Sequence, residues 1–165
     1  MSLWLLIPFL LFVAIVQTSL VPLAPVLGLK IDLPLIVIVA QGLVGSAGSA
    51  AQWGFIVGLF LDLASGLPFG IHALALTGIG VLMDLGQAIY FRGNLLAPPV
   101  AIVSATIVYQ VLILAVLSLS TAALPWGDYL LRIVLPTALL NTLAFPFVYF
   151  PMHWFSRPRA PIEVA

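Results

Sequence analysis

Apolar residues occupy this chain in long runs, and polar residues collect where the runs stop. Leu3–Val21 is the first run, and it predicts a helix that can cross a bilayer, which takes about 20 apolar residues. Trp4 falls where an interfacial anchor is expected, and Pro8 falls in an early turn, where its missing hydrogen bond is cheap or kinks the helix. The run lacks a basic leader and a small-x-small cleavage site, so it reads as a retained span. The proline- and glycine-rich stretch Pro22 to Gly28, with Lys30 and Asp32, predicts the first loop.

Between Leu33 and Ser65 the apolar pattern is too long for one span. A single helix there would measure about 50 Å at 1.5 Å per residue, against a hydrocarbon core of about 30 Å. Gly42, Gly45, Ser46 and Gly48 interrupt it, which predicts two short helices, Leu33–Val44 and Ala51–Ala64, around a break at Gly45–Ala50. One long tilted helix is the competing reading. Ile71–Tyr90 predicts a fourth helix and Leu96–Leu119 a fifth, with Pro98 and Pro99 tolerated in its first turn. Tyr129–Phe155 predicts a sixth, bent at Pro136, Pro146 and Pro151. Breaks are expected at Arg92-Gly93-Asn94 and Ser120–Asp128, and the tail from Arg157 to Pro161 is not helical. No repeat of fixed period stands out, which argues against an inverted-repeat transporter.

Composition turns these runs into a fold class. Of 165 residues 64% are hydrophobic and 6% are charged, where a soluble domain carries about 25% charged residues. So little charge cannot wet the surface of a globule. The expectation is an all-α integral membrane protein, one compact bundle of six transmembrane helices forming a single domain over residues 1–165, with five helices as the alternative. Six helices with a cytoplasmic amino terminus place Arg92, Arg157 and Arg159 inside and Lys30 and Arg132 outside; both counts put the carboxyl terminus in the cytoplasm. Net charge is zero and no basic run points to nucleic acid; there is no cysteine for a disulfide, thiolate metal site or nucleophile.

Within so apolar a chain, Asp62 is the position to explain. An acid in hydrocarbon costs roughly 2.5–3.5 kcal/mol on insertion scales. It lies about one turn before the bend Ser65-Gly66-Leu67-Pro68-Phe69-Gly70, and His72 lies under one turn after it. An antiparallel hairpin brings the two to one depth, where they can share a proton or hydrogen bond. Gly66 suits a left-handed helix cap, Pro68 the start of the next helix, and Gly70 a close passage of the chain. Asp62 then either bonds backbone groups freed by the turn and locks the hairpin, shapes a face for a partner helix, or takes part in proton or ion movement. Gly54-x-x-x-Gly58 is a small-xxx-small pair on the same helix, fit for packing inside the bundle or against another protein.

Other polar residues at membrane depth are Gln17, Gln41, Thr77, Ser104, Thr106, Gln110 and Asn141, expected to staple helices together. Asp84 and Arg92 can share a helix face, and Asp128 and Arg132 form an i, i+4 pair. Catalysis finds no support. Ser65 is the only serine near Asp62 and His72, and turn chemistry explains it; no cluster has metal-ligand spacing. No cofactor is expected.

The run from Gly58 through Asp62 and the Gly66-x-Pro68-x-Gly70 turn to His72-Ala73 resembles the signature of the rod shape-determining protein MreD family, as does the proline-bounded start at Asp32-Leu33-Pro34. The resemblance implies a non-enzymatic inner-membrane protein of the cell-elongation machinery that builds the side wall of rod-shaped bacteria. It also implies a compact six-helix bundle similar to the substrate-binding subunits of energy-coupling-factor vitamin transporters. The implied partner is MreC, with the actin-like MreB, the glycosyltransferase RodA and a class B penicillin-binding transpeptidase nearby. A vitamin-type substrate-binding subunit is the alternative function, with Trp53, His72, Tyr109 and Gln110 lining its pocket.

Overall fold

The computed structural model describes residues 3–20, 31–46, 48–66, 68–89, 97–120 and 126–156, and among these every regular element is a helix. Helix α1 is Leu3–Ile15 and closes in a wide π-helical turn, Val16–Leu20. Then come α2 (Leu33–Val44), α3 (Ser49–Ala64), α4 (Ile71–Ile89) and α5 (Ala97–Ser120). Helix α6 starts at Trp126–Tyr129, widens through the π-helical turn Leu130–Val134 and continues as Leu135–Ser156. The expected loops at residues 22–28 and 92–94, and the tail from residue 157, lie outside the described residues.

The long apolar stretch after residue 33 does divide in two. Its break falls at Gly45–Gly48, where Gly48 turns left-handed at φ 82°, a conformation that costs glycine nothing. The competing single-helix reading is therefore wrong. Dividing the stretch lets α2 lie in the middle of the bundle, against α1, α3, α4, α5 and α6. Every residue from Pro34 to Ala40 is buried, the pattern of a helix that is apolar all round. At 12 residues α2 is about 18 Å long. Two helical stretches, Ala97–Ser118 and Gly127–Trp154, have the length and apolarity to cross a membrane. Large apolar side chains cover the outside, among them Trp4, Phe12, Leu74, Leu139 and Phe147.

A short buried helix leaves amide groups at its start with no carbonyl to meet. At α2 other helices supply the acceptors. The Asp32 N–H donates to Asn141 Oδ1 on α6 at 3.0 Å, and the Leu33 N–H donates to Gln17 Oε1 in the π-helical turn of α1 at 3.0 Å. Gln110 Nε2 on α5 donates to Asp32 Oδ2 at 2.9 Å, and Asn141 Nδ2 donates to Thr106 Oγ1 at 3.2 Å. Gln17, Thr106, Gln110 and Asn141 thus tie α1, α2, α5 and α6 around one helix start. Gln41 reaches Ser49 across the α2–α3 break. Thr77 and Ser104 instead donate to carbonyls of their own helices, so they do not staple the bundle as expected. The π-helical turn of α6 ends next to Pro136, which has no N–H to offer the Arg132 carbonyl; there the Leu135 N–H reaches back to the Leu130 carbonyl.

Asn141 has no exposed surface and holds both Asp32 and Thr106. Replacing Asn141→Leu leaves the Asp32 amide without its acceptor, and the unfolding free energy of the detergent-purified protein is expected to fall by about 1–3 kcal/mol. Steric-trapping or thermal unfolding measures this, and an unchanged stability contradicts the role given to Asn141.

Candidate functional site

Helices α3 and α4 form an antiparallel hairpin, and glycines set its spacing. A Cβ on Gly54 would overlap the Leu76 carbonyl group, and one on Gly58 would overlap the backbone of His72 and Ala73. Both glycines therefore serve the contact between α3 and α4, within the chain itself. At this separation the short side chain of Asp62 spans the gap between the helices. Its Oδ1 accepts the backbone N–H of His72 at 2.9 Å and stands 2.9 Å from the His72 ring Nδ1. Its Oδ2 accepts the Ala73 N–H at 3.0 Å.

The Asp62 side chain has no exposed surface, and its placement explains how it tolerates that burial. Three donors surround two oxygens, and the positive end of the α4 dipole points at them. Residue 70, just ahead of α4, is glycine and has no side chain with which to cap the helix. Asp62 reaches across from α3 and does so in its place. Of the three readings open from sequence, this geometry is that of a lock on the hairpin.

The turn residues take different roles from those expected. Gly66 is not left-handed; α3 ends at Ser65 in extended backbone, φ −93° and ψ 152°, with its N–H on the Leu61 carbonyl at 2.7 Å. The left-handed residue is Gly70, at φ 100°. A Cβ there would meet nothing within 4 Å, so Gly70 supplies a backbone angle, where a close passage was expected. Pro68 is exposed and lies three residues ahead of the first residue of α4. The Ser65 hydroxyl is buried and finds no hydrogen-bond partner; nothing joins it to Asp62 or His72.

His72 lies beside Tyr109 of α5, ring centroids 6.5 Å apart. Gln110, next along α5, is engaged with Asp32. Trp53 faces α1, edge-on to Phe9 at 6.0 Å. Of the four residues named for a ligand pocket, His72 through its Nδ1 and Gln110 through its Nε2 are thus engaged by carboxylates of this chain. Among the described residues no three His, Cys, Asp or Glu side chains converge on a metal position.

One residue of the hairpin escaped sequence reasoning. Asp84, which the sequence lets share a helix face with Arg92, reaches the start of α3, where its Oδ1 and Oδ2 accept the N–H groups of Ala50 at 3.3 Å and Ala51 at 3.0 Å. Arg92 lies outside the described residues. The available signal was the spacing Gly80-x-x-x-Asp84, which matches Gly58-x-x-x-Asp62. Asp128 and Arg132 do pair, at 3.7 Å on the exposed side of α6.

A family model described as rod shape-determining protein MreD matches residues 1–159. The chain belongs to the MreD family. Membership gives it a part in determining rod shape and places it among membrane-associated proteins. Comparison with curated proteins and with solved structures gives no match.

The hairpin geometry ranks substitutions. Asp62→Ala strips the acceptors from two backbone amides and is expected to cost about 2 kcal/mol or more. His72→Ala keeps both amide bonds and is expected to cost less than half as much. Gly66→Ala, with open space and an ordinary backbone angle, is expected to be neutral within about 0.5 kcal/mol, whereas Gly70→Ala meets left-handed strain of about 1–2 kcal/mol. Unfolding of the four purified variants in one detergent checks the order, and a Gly66 variant as damaged as the Asp62 variant contradicts it.

Proposed function

We propose that this chain is a non-enzymatic subunit of the bacterial cell-elongation machinery, embedded in the inner membrane by six helices, and that it binds MreC through the shape set by the α3–α4 hairpin. The observation that carries this reading is the engagement of Asp62. The carboxylate that looks most reactive in the sequence is occupied by two backbone amides and an imidazole of its own chain, which suits a group that fixes form. The stretches of sequence between the helices are short, so helix faces and turns are the surfaces offered to a partner. Gly54, Gly58, Asp62, Gly70 and His72 are the residues that determine the hairpin, Gly66 and Pro68 complete its turn, and MreC's membrane segment is its reader. MreB, RodA and a class B penicillin-binding transpeptidase are then brought near through MreC.

The order of helices suits this topology. With α1 starting in the cytoplasm, the Asp62–His72 end of the hairpin faces outward together with Lys30 and Arg132, and Asp84 lies toward the cytoplasm with Arg92, Arg157 and Arg159. This puts three basic residues inside against two outside; five helices with an external amino terminus would put Lys30 inside as well, so the charge count does not choose between the two.

Co-purification tests the reading. Gly58→Leu drives a side chain into the backbone of α4 and is expected to reduce recovery of MreC from solubilised membranes at least fivefold at equal abundance of the variant. Leu74→Ala, which removes an exposed side chain from the outer face of α4, is expected to reduce it less than twofold. Full recovery with Gly58→Leu sinks the proposal. A purified protein that retains a bound small molecule on native mass spectrometry would favour the vitamin-transport reading in its place.

A further inference from the structure

Advancing 22 positions along the chain lays α3 and its approach onto α4: Gly48 falls on Gly70, Ala51 on Ala73, Val57 on Ile79, Gly58 on Gly80, Leu61 on Met83, Asp62 on Asp84 and Leu63 on Leu85. Three kinds of contact repeat with the same shift. Gly48 and Gly70 are the two left-handed glycines among the described residues, each directly before a helix start. Gly58 lies against the backbone of His72 and Ala73, and Gly80 lies against the backbone of Ala50 and Ala51. Asp62 takes the amides of residues 72 and 73, and Asp84 takes those of 50 and 51. The same shift carries Gly54 to Leu76, and these two touch each other. They mark the line about which the two halves of the hairpin exchange.

We propose that residues 48–63 and 70–85 are two copies of one helical unit joined as a self-complementary hairpin, and that Asp84 with Gly80 forms a second clasp, equivalent to Asp62 with Gly58, at the opposite end. A repeat of fixed period is therefore present, contrary to the reading of the apolar pattern. Gly48/Gly70, Ala51/Ala73, Gly58/Gly80, Asp62/Asp84 and Leu63/Leu85 are identical, several other pairs exchange one apolar residue for another, and Ser49/Ile71, Ala50/His72, Gln52/Leu74 and Phe55/Thr77 differ in polarity. Each carboxylate closes the start of a different helix, so the clasps act separately: one end of the hairpin can be released while the other holds. The caps differ in one respect, with Ala50 standing where the other unit has His72. The clasp at Asp84 closes on two amides without an imidazole, so the imidazole is not a requirement of the clasp.

Amide hydrogen exchange of the full chain in lipid nanodiscs tests this without reference to any partner, so its failure is distinct from a failure of the MreC reading. Asp84→Asn is expected to speed exchange at Ala50 and Ala51 about tenfold or more while His72 and Ala73 stay protected, and Asp62→Asn is expected to do the reverse. Gly80→Ala, whose methyl group meets the Ala50 carbonyl, is expected to loosen the same end as Asp84→Asn, and Gly78→Ala, which meets nothing, is expected to change neither end. If an Asp84 variant does not accumulate, Gly80→Ala carries the test. Protected amides at Ala50 and Ala51 in the Asp84 and Gly80 variants, or equal loosening of both ends by each, overturns the proposal.

Discussion

Buried helix starts demand acceptors, and in this protein they come from other helices. An amide left unpaired inside a bundle costs about 1–3 kcal/mol, and the first turn of every helix carries several. Helix α2 is answered by Asn141 and Gln17, α3 by Asp84 and α4 by Asp62. None of these helices is capped by a side chain just ahead of it. Helix capping, which is local in most proteins, has here become tertiary structure. Each polar side chain that satisfies an amide also fixes one helix against another. In a surrounding of hydrocarbon, where burial of apolar surface discriminates little between arrangements, such bonds select one packing among many.

The glycines and the carboxylates work as pairs. An aspartate side chain is short and reaches a neighbouring backbone only if the helices almost touch. Gly58 permits that approach at Ala73, one turn from Asp62, and Gly80 permits it at Ala50 and Ala51, one turn from Asp84. A larger residue at either glycine would push the carboxylate out of reach of its amides, so a steric change would become an electrostatic one. Packing and charge are therefore not separable contributions in this hairpin.

Helix positions were legible because apolar runs and glycine breaks report directly on what lipid tolerates. The division near Gly45 followed from length together with the glycines there, with α3 starting at Ser49, two residues before the expected Ala51. The encounter of Asp62 and His72 was legible too, since a tight turn fixes the depth of residues on either side of it. The roles of Gly66 and Gly70 were not. Which of two glycines turns left-handed depends on how the chain enters α4, and that is set by the carboxylate waiting at its start. Asp84 was missed for a related reason. Reading it against Arg92 looked for a charge partner, whereas a buried carboxylate is equally well served by two amides and a helix dipole. The proposed repeat is faint in the sequence because buried apolar residues replace one another, as at Val57/Ile79 and Leu61/Met83, and because Ser49/Ile71, Gln52/Leu74 and Phe55/Thr77 differ in polarity, so few positions retain the signal.

In this shape-determining protein the two carboxylates of the α3–α4 hairpin, Asp62 and Asp84, each hold the start of a helix and so help set the form of the bundle. The account ties that form to Asp62, and the most direct measurement is the shape of cells in which the only copy of this protein carries Asp62→Ala at matched membrane abundance. The account predicts loss of rod shape, with the length-to-width ratio falling toward that of a sphere. Cells that keep the rod proportions of the parent would contradict it.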